Sequence, residues 1–167
     1  MQDCAPVTTP LAVKHNLSVS QSPTTEEDRM VYLKYANGVS YLEIISSLLY
    51  ATHMRPDIQF AVSLVLQFGG NPGKAHLEVV KRVLWYLKGT AHFTLALGQR
   101  SHDSVDLVGW SDSNWAEDPD TRRSVGGFVF DIGGASVSWS SKKQPMVALS
   151  TVEAEYMAAS NTTREAI

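Results

Sequence analysis

The sequence predicts an α+β chain in which about three helices are followed by a β-meander and one closing helix. Apolar residues recur at helical spacing between residues 40 and 88, and apolar and polar residues alternate after residue 93. A capping box, Ser150-Thr151-Val152-Glu153, predicts the start of the last helix. The 167 residues are 44% hydrophobic and 19% charged, a composition that excludes a wholly disordered or collagen-like chain.

The sequence carries no pattern typical of a membrane or exported protein. No run of about 18 apolar residues occurs, and the first residues lack the basic and then apolar order of a signal peptide. The single cysteine, Cys4, has no partner for an internal disulfide, which favours an intracellular protein of the cytoplasm or nucleus. The histidines show no short paired spacing, so a zinc site has little support.

The first hundred residues are predicted to be mainly helical. Residues 1–37 are expected to form an extended lead-in, because they combine several prolines with serine and threonine clusters and lack strong periodicity. Residues 38–100 are expected to hold three packed helices, over about 40–54, 56–68 and 74–88. The predicted buried stripes are Tyr41, Ile45, Leu48, Leu49 and Thr52 in the first helix, Ile58, Ala61, Val62, Val65 and Phe68 in the second, and Leu77, Val80, Leu84 and Leu87 in the third.

The third predicted helix also carries a basic stripe. Lys74, Lys81 and Lys88 recur every seven residues and therefore share one face, with Arg82 beside them. A basic stripe opposite an apolar one can follow a phosphate backbone, with an affinity that falls as salt rises. The alternative is an ordinary solvated surface of a packed helix. Nucleic acid is thus a candidate partner, and we expect no membrane partner.

Residues 101–167 are predicted to contain most of the sheet and the last helix. A pair of glycines, Gly133-Gly134, suits a two-residue hairpin turn between the last two strands. Strand-like alternation covers residues 93–97, 106–111, 126–132 and 135–141.

Two acidic residues are candidates for a metal site. Asp112 shares one face of a strand with Val108 and Trp110, so its carboxylate extends an apolar row. Glu155 falls on a helix stripe that is predicted to pack on the sheet. A carboxylate on a packing face is costly unless it is paired, protonated or bound to a metal. The predicted stripe consists of Val152, Glu155, Tyr156 and Ala159.

Two alternatives stand beside this metal site. Both acids could instead face solvent, or be satisfied by Arg122, Arg123 or backbone donors. Glu153 is the neighbouring acid on the same helix, but it points away from Glu155 and is explained by its capping position.

Several sequence blocks resemble one known family. The chain is similar to the Pol polyproteins of copia-type retrotransposons, at the end of the reverse transcriptase and the first half of the RNase H domain. The resemblance keeps the order of the blocks and covers nearly the whole chain. The blocks are SLLY at 47–50, RPD at 55–57, YLKGT at 86–90, SDSNWAED at 111–118, DTRRS at 120–124, WSSKKQP at 139–145 and LSTVEAEY at 149–156.

The resemblance implies a metal-dependent endonuclease that cuts the RNA strand of an RNA–DNA hybrid. This family places four acids around two Mg²⁺ ions. Asp112 matches the first acid, and Glu155 matches the second better than Glu153 does. The sequence departs from the family at Asn114, where relatives often have Asp, and at Ser46, where they often have Gly.

The resemblance also implies that the family's third and fourth acids follow Ile167 and that the polymerase carboxylates precede Met1. We therefore expect a Pol fragment with a truncated RNase H-like meander, which holds Mg²⁺ weakly or not at all and is inactive alone. Its expected partners are an RNA–DNA hybrid and the rest of the polyprotein. The alternatives are a non-catalytic nucleic-acid-binding module and a genomic relic.

Overall fold

The computed structural model describes residues 4–13, 16–96 and 106–167. Its backbone divides into two compact units, with the boundary between Phe93 and Thr94. The first unit is helical, and the second unit combines a three-stranded sheet with one helix. An α+β fold is thereby confirmed.

Four helices form the first unit. Their apolar faces enclose one core, to which every helix contributes at least one buried residue. The helix bounds are α1 Glu26–Ala36, α2 Tyr41–Ala51, α3 Gln59–Leu66 and α4 Lys74–Gly89, with short 3₁₀ turns at Val19–Gln21 and Pro56–Ile58.

The prediction of an extended lead-in over residues 1–37 is wrong for α1. The Thr25 hydroxyl accepts a hydrogen bond from the Asp28 backbone N–H at 3.1 Å, and the Asp28 carboxylate accepts one from the Thr25 N–H at 3.2 Å. This reciprocal pair satisfies two donors at the helix start. The acidic side chains there also suit the positive end of the helix dipole, so local capping offsets the weak apolar periodicity.

Most of the predicted core stripes are buried. All five predicted residues of the second helix, from Ile58 to Phe68, are 5% exposed or less. In α2, Leu49 was predicted inside but is 41% exposed. In α4, Leu84 is only half-buried, and Val83 and Tyr86 take the inner positions.

A buried histidine joins α4 to the segment before α1. The ring of His76 is fully buried and stacks on Phe68 with 4.0 Å between ring centroids. Its Nδ1 accepts a hydrogen bond from the Gly73 N–H at 2.9 Å. Because that backbone group can only donate, Nε2 carries the proton and donates to the Ser18 carbonyl at 3.1 Å.

An ion pair ties the start of the α3 region to the end of α4. Arg55 contacts both carboxylate oxygens of Asp57, at 2.9 and 2.7 Å, and the Tyr86 hydroxyl donates to Asp57 at 2.7 Å. Arg55 also donates to the Thr90 carbonyl at 3.2 Å. Burial raises the pKa of Asp57, but the hydrogen bonds from Arg55 and Tyr86 outweigh it and leave that pKa below its usual value.

The second unit is an antiparallel meander in the order β1-β2-β3. Gly133 and Gly134 form the predicted hairpin turn with φ values of 58° and 80°, which glycine adopts without strain. The strand expected at 93–97 is absent from residues 93–96, and Leu97 lies outside the described residues. The bounds are β1 Leu107–Asn114, β2 Val125–Ile132, β3 Ala135–Lys143 and α5 Thr151–Glu165.

Small residues hold α5 against β1 and β2. Its buried positions are Ala154, Ala158 and Thr162, which recur every four residues. The predicted packing stripe is wrong, because Val152 is 75% exposed and Tyr156 is 78% exposed. Large apolar side chains dominated the sequence pattern, whereas the close approach of α5 to the sheet leaves room only for small ones.

We predict that His76→Phe lowers the free energy of unfolding of the first unit by about 1–3 kcal/mol. Phenylalanine keeps the stacking on Phe68 but removes the acceptor of the Gly73 N–H and one of the hydrogen bonds to the Ser18 carbonyl, which keeps the bond from the Gln21 N–H. Urea unfolding followed by circular dichroism measures the loss. His53→Phe, at an exposed position, is the matched control, and equal midpoints for the two variants would contradict the assigned role.

Candidate functional site

Asp112 lies near the carboxyl end of β1, as the sequence predicts. It pairs with Gly127 across the sheet and is exposed to solvent. Its neighbours in the predicted apolar row are exposed too, Val108 by 44% and Trp110 by 55%. The three side chains therefore share one face of β1, but that face is exposed to solvent and not packed.

Alternation places Asp112 on the face of the sheet that α5 does not cover. A Cβ added at Gly126 would lie 3.4 Å from the Cβ of Ala158, so Gly126 marks the covered face. Ser113 stands directly opposite Gly126 and has a buried hydroxyl. Asp112 precedes Ser113 and therefore points to the other side.

Glu155 is exposed beside the buried stripe of α5. The packing argument that favoured it in the sequence does not apply, because the stripe it was assigned to faces solvent. Both candidate acids are solvent-exposed, which is the arrangement that the solvent-facing alternative describes. The joining of Asp112 and Glu155 in one metal site stays a prediction.

Glu153 has the capping role that the sequence assigned to it. Its backbone N–H donates to the Ser150 hydroxyl at 3.2 Å. Its carboxylate accepts a hydrogen bond from the Leu149 N–H at 2.6 Å, one residue before the cap. The Glu153 carboxylate is thus engaged in capping the start of α5, whereas Glu155 has no part in that cap.

A folded loop between β1 and β2 was missed by sequence reasoning. Asp118 is 8% exposed and forms an ion pair with Lys143 at the end of β3. The Thr121 hydroxyl also donates to the Asp118 carboxylate. Burial raises the pKa of Asp118, but the contacts with Lys143 and Thr121 outweigh it and leave the pKa below its usual value.

Hydrogen bonds of Ser124 and Gln144 connect the same loop to the end of β3 and to α5. The Ser124 hydroxyl accepts from the Ala116 N–H at 3.1 Å, and the Ser124 carbonyl accepts from the Gln144 N–H at 2.8 Å. Gln144 in turn donates to the Ala154 carbonyl of α5 at 2.9 Å. The blocks at 111–118, 120–124, 139–145 and 149–156 therefore meet at one end of the sheet.

Comparisons with known proteins show the family to which this chain belongs. The chain is 44% identical, over 168 aligned residues, to the retrovirus-related Pol polyprotein from transposon TNT 1-94 of Nicotiana tabacum. It is 37% identical over 160 residues to the corresponding polyprotein from transposon RE1 of Arabidopsis thaliana. The alignments cover 100% and 96% of this chain. The chain belongs to the copia-type retrotransposon Pol family.

This Pol segment spans 12% and 10% of the lengths of those two polyproteins. It is also 42% identical over 131 residues to secreted RxLR effector protein 161 of Plasmopara viticola, an alignment that covers 78% of this chain and 91% of that protein. No protein-family model matches the chain. No solved structure matches it.

The described part of the Pol segment does not fit a site for two metal ions. Among residues 4–13, 16–96 and 106–167, no group of three or more His, Cys, Asp or Glu side chains is placed to hold a metal. Asp112 and Glu155 supply two exposed carboxylates. Two adjacent Mg²⁺ ions need more oxygen ligands and more negative charge than this pair provides.

The basic stripe of α4 is largely engaged within the Pol segment itself. Lys81 lies 3.7 Å from the centroid of the Tyr35 ring and donates to the Tyr35 carbonyl at 3.4 Å. Arg82 donates to the Thr9 hydroxyl at 2.9 Å, and Lys88 donates to the Cys4 carbonyl at 2.9 Å. Phosphate contact by this stripe stays a prediction, and its cations would have to exchange these contacts for phosphates.

Lys74, the first member of that stripe, is exposed to solvent. Its ammonium group lies 3.8 Å from Glu78 in an exposed pair, which stabilises a helix only slightly.

None of the helices in the part of the chain that the structure describes is long and apolar enough to span a bilayer.

We predict that Asp118→Asn destabilises the second unit at neutral pH and that this difference shrinks in acid. The native Asp118 pKa lies below its unfolded value, so its stabilisation is complete above the unfolded pKa and is lost as pH falls through the folded pKa. Urea midpoints of both proteins between pH 7 and pH 2 test this. Asp120→Asn, at an exposed position in the same loop, is the control. A constant difference between native and Asp118→Asn protein down to pH 2 would contradict the ion-pair role.

Proposed function

We propose that the second unit contributes Asp112 and Glu155 to RNase H-type hydrolysis of the RNA strand of RNA–DNA hybrids in the whole Pol polyprotein. The observation that carries the proposal is the placement of the two motif blocks. The first block ends β1 of an antiparallel meander, and the second begins the helix that packs on that meander. The first unit then represents the helical end of the reverse transcriptase.

The exposure of both acids suits this role. A carboxylate that is exposed and makes no ion pair with the described residues keeps its oxygens available for a ligand. Asp118 and Asp57, in contrast, are committed to Lys143 and Arg55. Asp112 and Glu155 are therefore better candidates for chemistry than the two aspartates that hold the structure together.

The 167 residues by themselves are proposed to be inactive. Two exposed carboxylates bind Mg²⁺ weakly, because this ion retains its waters and requires well-placed oxygens. The further acids that the family uses would come from residues of the polyprotein that follow this segment. The proposed substrate, an RNA–DNA hybrid, would then be bound by the assembled polyprotein.

Cleavage of a labelled RNA–DNA hybrid by two chains of different length tests the proposal. With Mg²⁺ or Mn²⁺ present, we predict no cutting above background by the 167-residue chain. A longer Pol chain that continues through the next two acids should cut the RNA strand. In that longer chain, Asp112→Asn and Glu155→Gln should each reduce cutting to background.

Glu153→Gln is the matched control, because it changes a neighbouring acid on the same helix that has a capping role. It should retain most of the cutting activity. Loss of cutting in Glu153→Gln together with normal cutting in Glu155→Gln would reverse the assignment. Robust cutting by the 167-residue chain that Asp112→Asn abolishes would overturn the proposed inactivity.

A further inference from the structure

The turn between α1 and α2 consists of Ala36, Asn37, Gly38 and Val39. A hydrogen bond from the Val39 N–H to the Ala36 carbonyl, at 3.1 Å, closes this turn. Asn37 has a φ of 50° and a ψ of 47°, and Gly38 has a φ of 77°. Two successive residues with positive φ favour glycine and asparagine, which adopt this region at the lowest steric cost. The shape of the turn therefore favours an Asn-Gly pair at its centre.

The Asn37-Gly38 pair is accessible and has no competing hydrogen bonds. Both residues are exposed to solvent. Neither the Asn37 carboxamide nor the Gly38 N–H forms a hydrogen bond with any of the described residues. A Cβ added at Gly38 would have no heavy atom within 4 Å beyond its chain neighbours. A side-chain amide and the main-chain nitrogen that follows it, the two groups that react when asparagine deamidates, are thus adjacent and uncommitted.

We propose that Asn37 is a site of spontaneous deamidation. The Gly38 nitrogen attacks Cγ of Asn37, a new C–N bond forms, and the bond from Cγ to Nδ2 breaks. Nδ2 leaves as ammonia with the proton that the Gly38 nitrogen gives up. Water then opens the resulting five-membered succinimide. Opening at Cγ gives aspartate, and opening at the main-chain carbonyl gives isoaspartate, in which the backbone continues through the side chain.

Opening of the turn controls the first step. With the ψ of Asn37 at 47°, the Gly38 nitrogen points away from the Asn37 side chain, so the Cα–C bond of Asn37 must rotate before the attack. That rotation breaks the hydrogen bond between Val39 and Ala36, and a main-chain hydrogen bond at an exposed turn opens readily. Because Gly38 has no Cβ, its nitrogen then approaches Cγ without a steric obstacle.

Isoaspartate at position 37 changes the connection between α1 and α2. It adds one carbon to the main chain between Ala36 and Gly38, so the hydrogen bond that closes the turn is lost. Ala36 is the buried residue of α1 and directly precedes the turn. The Tyr35 carbonyl, one residue earlier, accepts the hydrogen bond from Lys81. Deamidation therefore loosens the end of α1 and its contact with α4, and it does so independently of the proposed function.

Peptide mapping by mass spectrometry, after incubation of the 167-residue chain in mildly alkaline buffer, tests the proposal. Asn114 is the internal control, because it is also exposed but precedes Trp115, and its side chain donates to Glu117 at 2.9 Å. Since glycine leaves the attacking nitrogen unhindered, Asn37 should deamidate at least about 10-fold faster than Asn114. Conversion of Asn37 at the rate of Asn114 or slower would overturn the proposal.

Asn37→Gly identifies the source of the isoaspartate. Glycine has no carboxamide and accepts the positive φ of this position, so the variant should fold normally. Total isoaspartate, labelled with an isoaspartate methyltransferase, should rise on incubation of the native chain and stay at its starting level in the variant. An equal rise in both chains would overturn the assignment to Asn37.

The structural consequence is tested by comparison with Asn37→Asp, which has the charge of the deamidated chain but a normal backbone. The isoaspartate form is purified by ion exchange, since it carries one more negative charge than the native chain. It should unfold at a lower urea midpoint than Asn37→Asp, because only isoaspartate lengthens the turn. Equal midpoints for these two chains would contradict the loosening of α1.

Discussion

The close packing of α5 on the sheet determines most of the second unit. A Cβ at Gly126 would lie in van der Waals contact, at 3.4 Å, with both the Cβ of Ala158 and the Nε2 of Gln144, so α5 approaches the β2 backbone to within one methyl group. Gln144 then links Ser124, at the start of β2, to Ala154 on the helix. Gln144, directly after β3, thus links the residue before β2 to α5.

Two features with different chemistry follow from the same packing. Because the alanine stripe of α5 faces the sheet, Glu155 is left exposed, where its carboxylate is available. Because the helix covers β1 and β2 but not β3, a cleft lined by Lys142 and Arg164 opens beside it. Asp112 and the cleft then occupy opposite faces of one sheet. A Pol segment of this form presents an acidic residue on one face and a basic cleft on the other.

The sequence predicted the elements better than it predicted their faces. Helix caps, turns and helical periodicity depend on residues close together in the chain. The sequence therefore predicted the Ser150 cap, the Gly133-Gly134 turn and the helices over 40–88. The buried stripe of α5 could not, because periodicity follows the largest apolar residues, and here Val152 and Tyr156 are outside while alanines are inside. Asp118 was also missed, since its partner Lys143 lies 25 residues away and only the fold brings the two together. Family resemblance also favours Asp112 and Glu155, whose role stays a prediction, but the burial that the sequence pattern predicted for them is wrong.

The orientation of α5 can be measured directly in the isolated chain. Nuclear Overhauser contacts in a ¹³C,¹⁵N-labelled sample would report which side chains of the helix touch β2. We expect contacts between the Ala158 methyl group and the Gly126 Hα protons, and none from Val152 or Tyr156 to β1 or β2. Contacts from the Tyr156 ring to the sheet, with the Ala158 methyl in solvent, would show that the helix is rotated. That result would contradict the placement of Glu155 and remove the cleft.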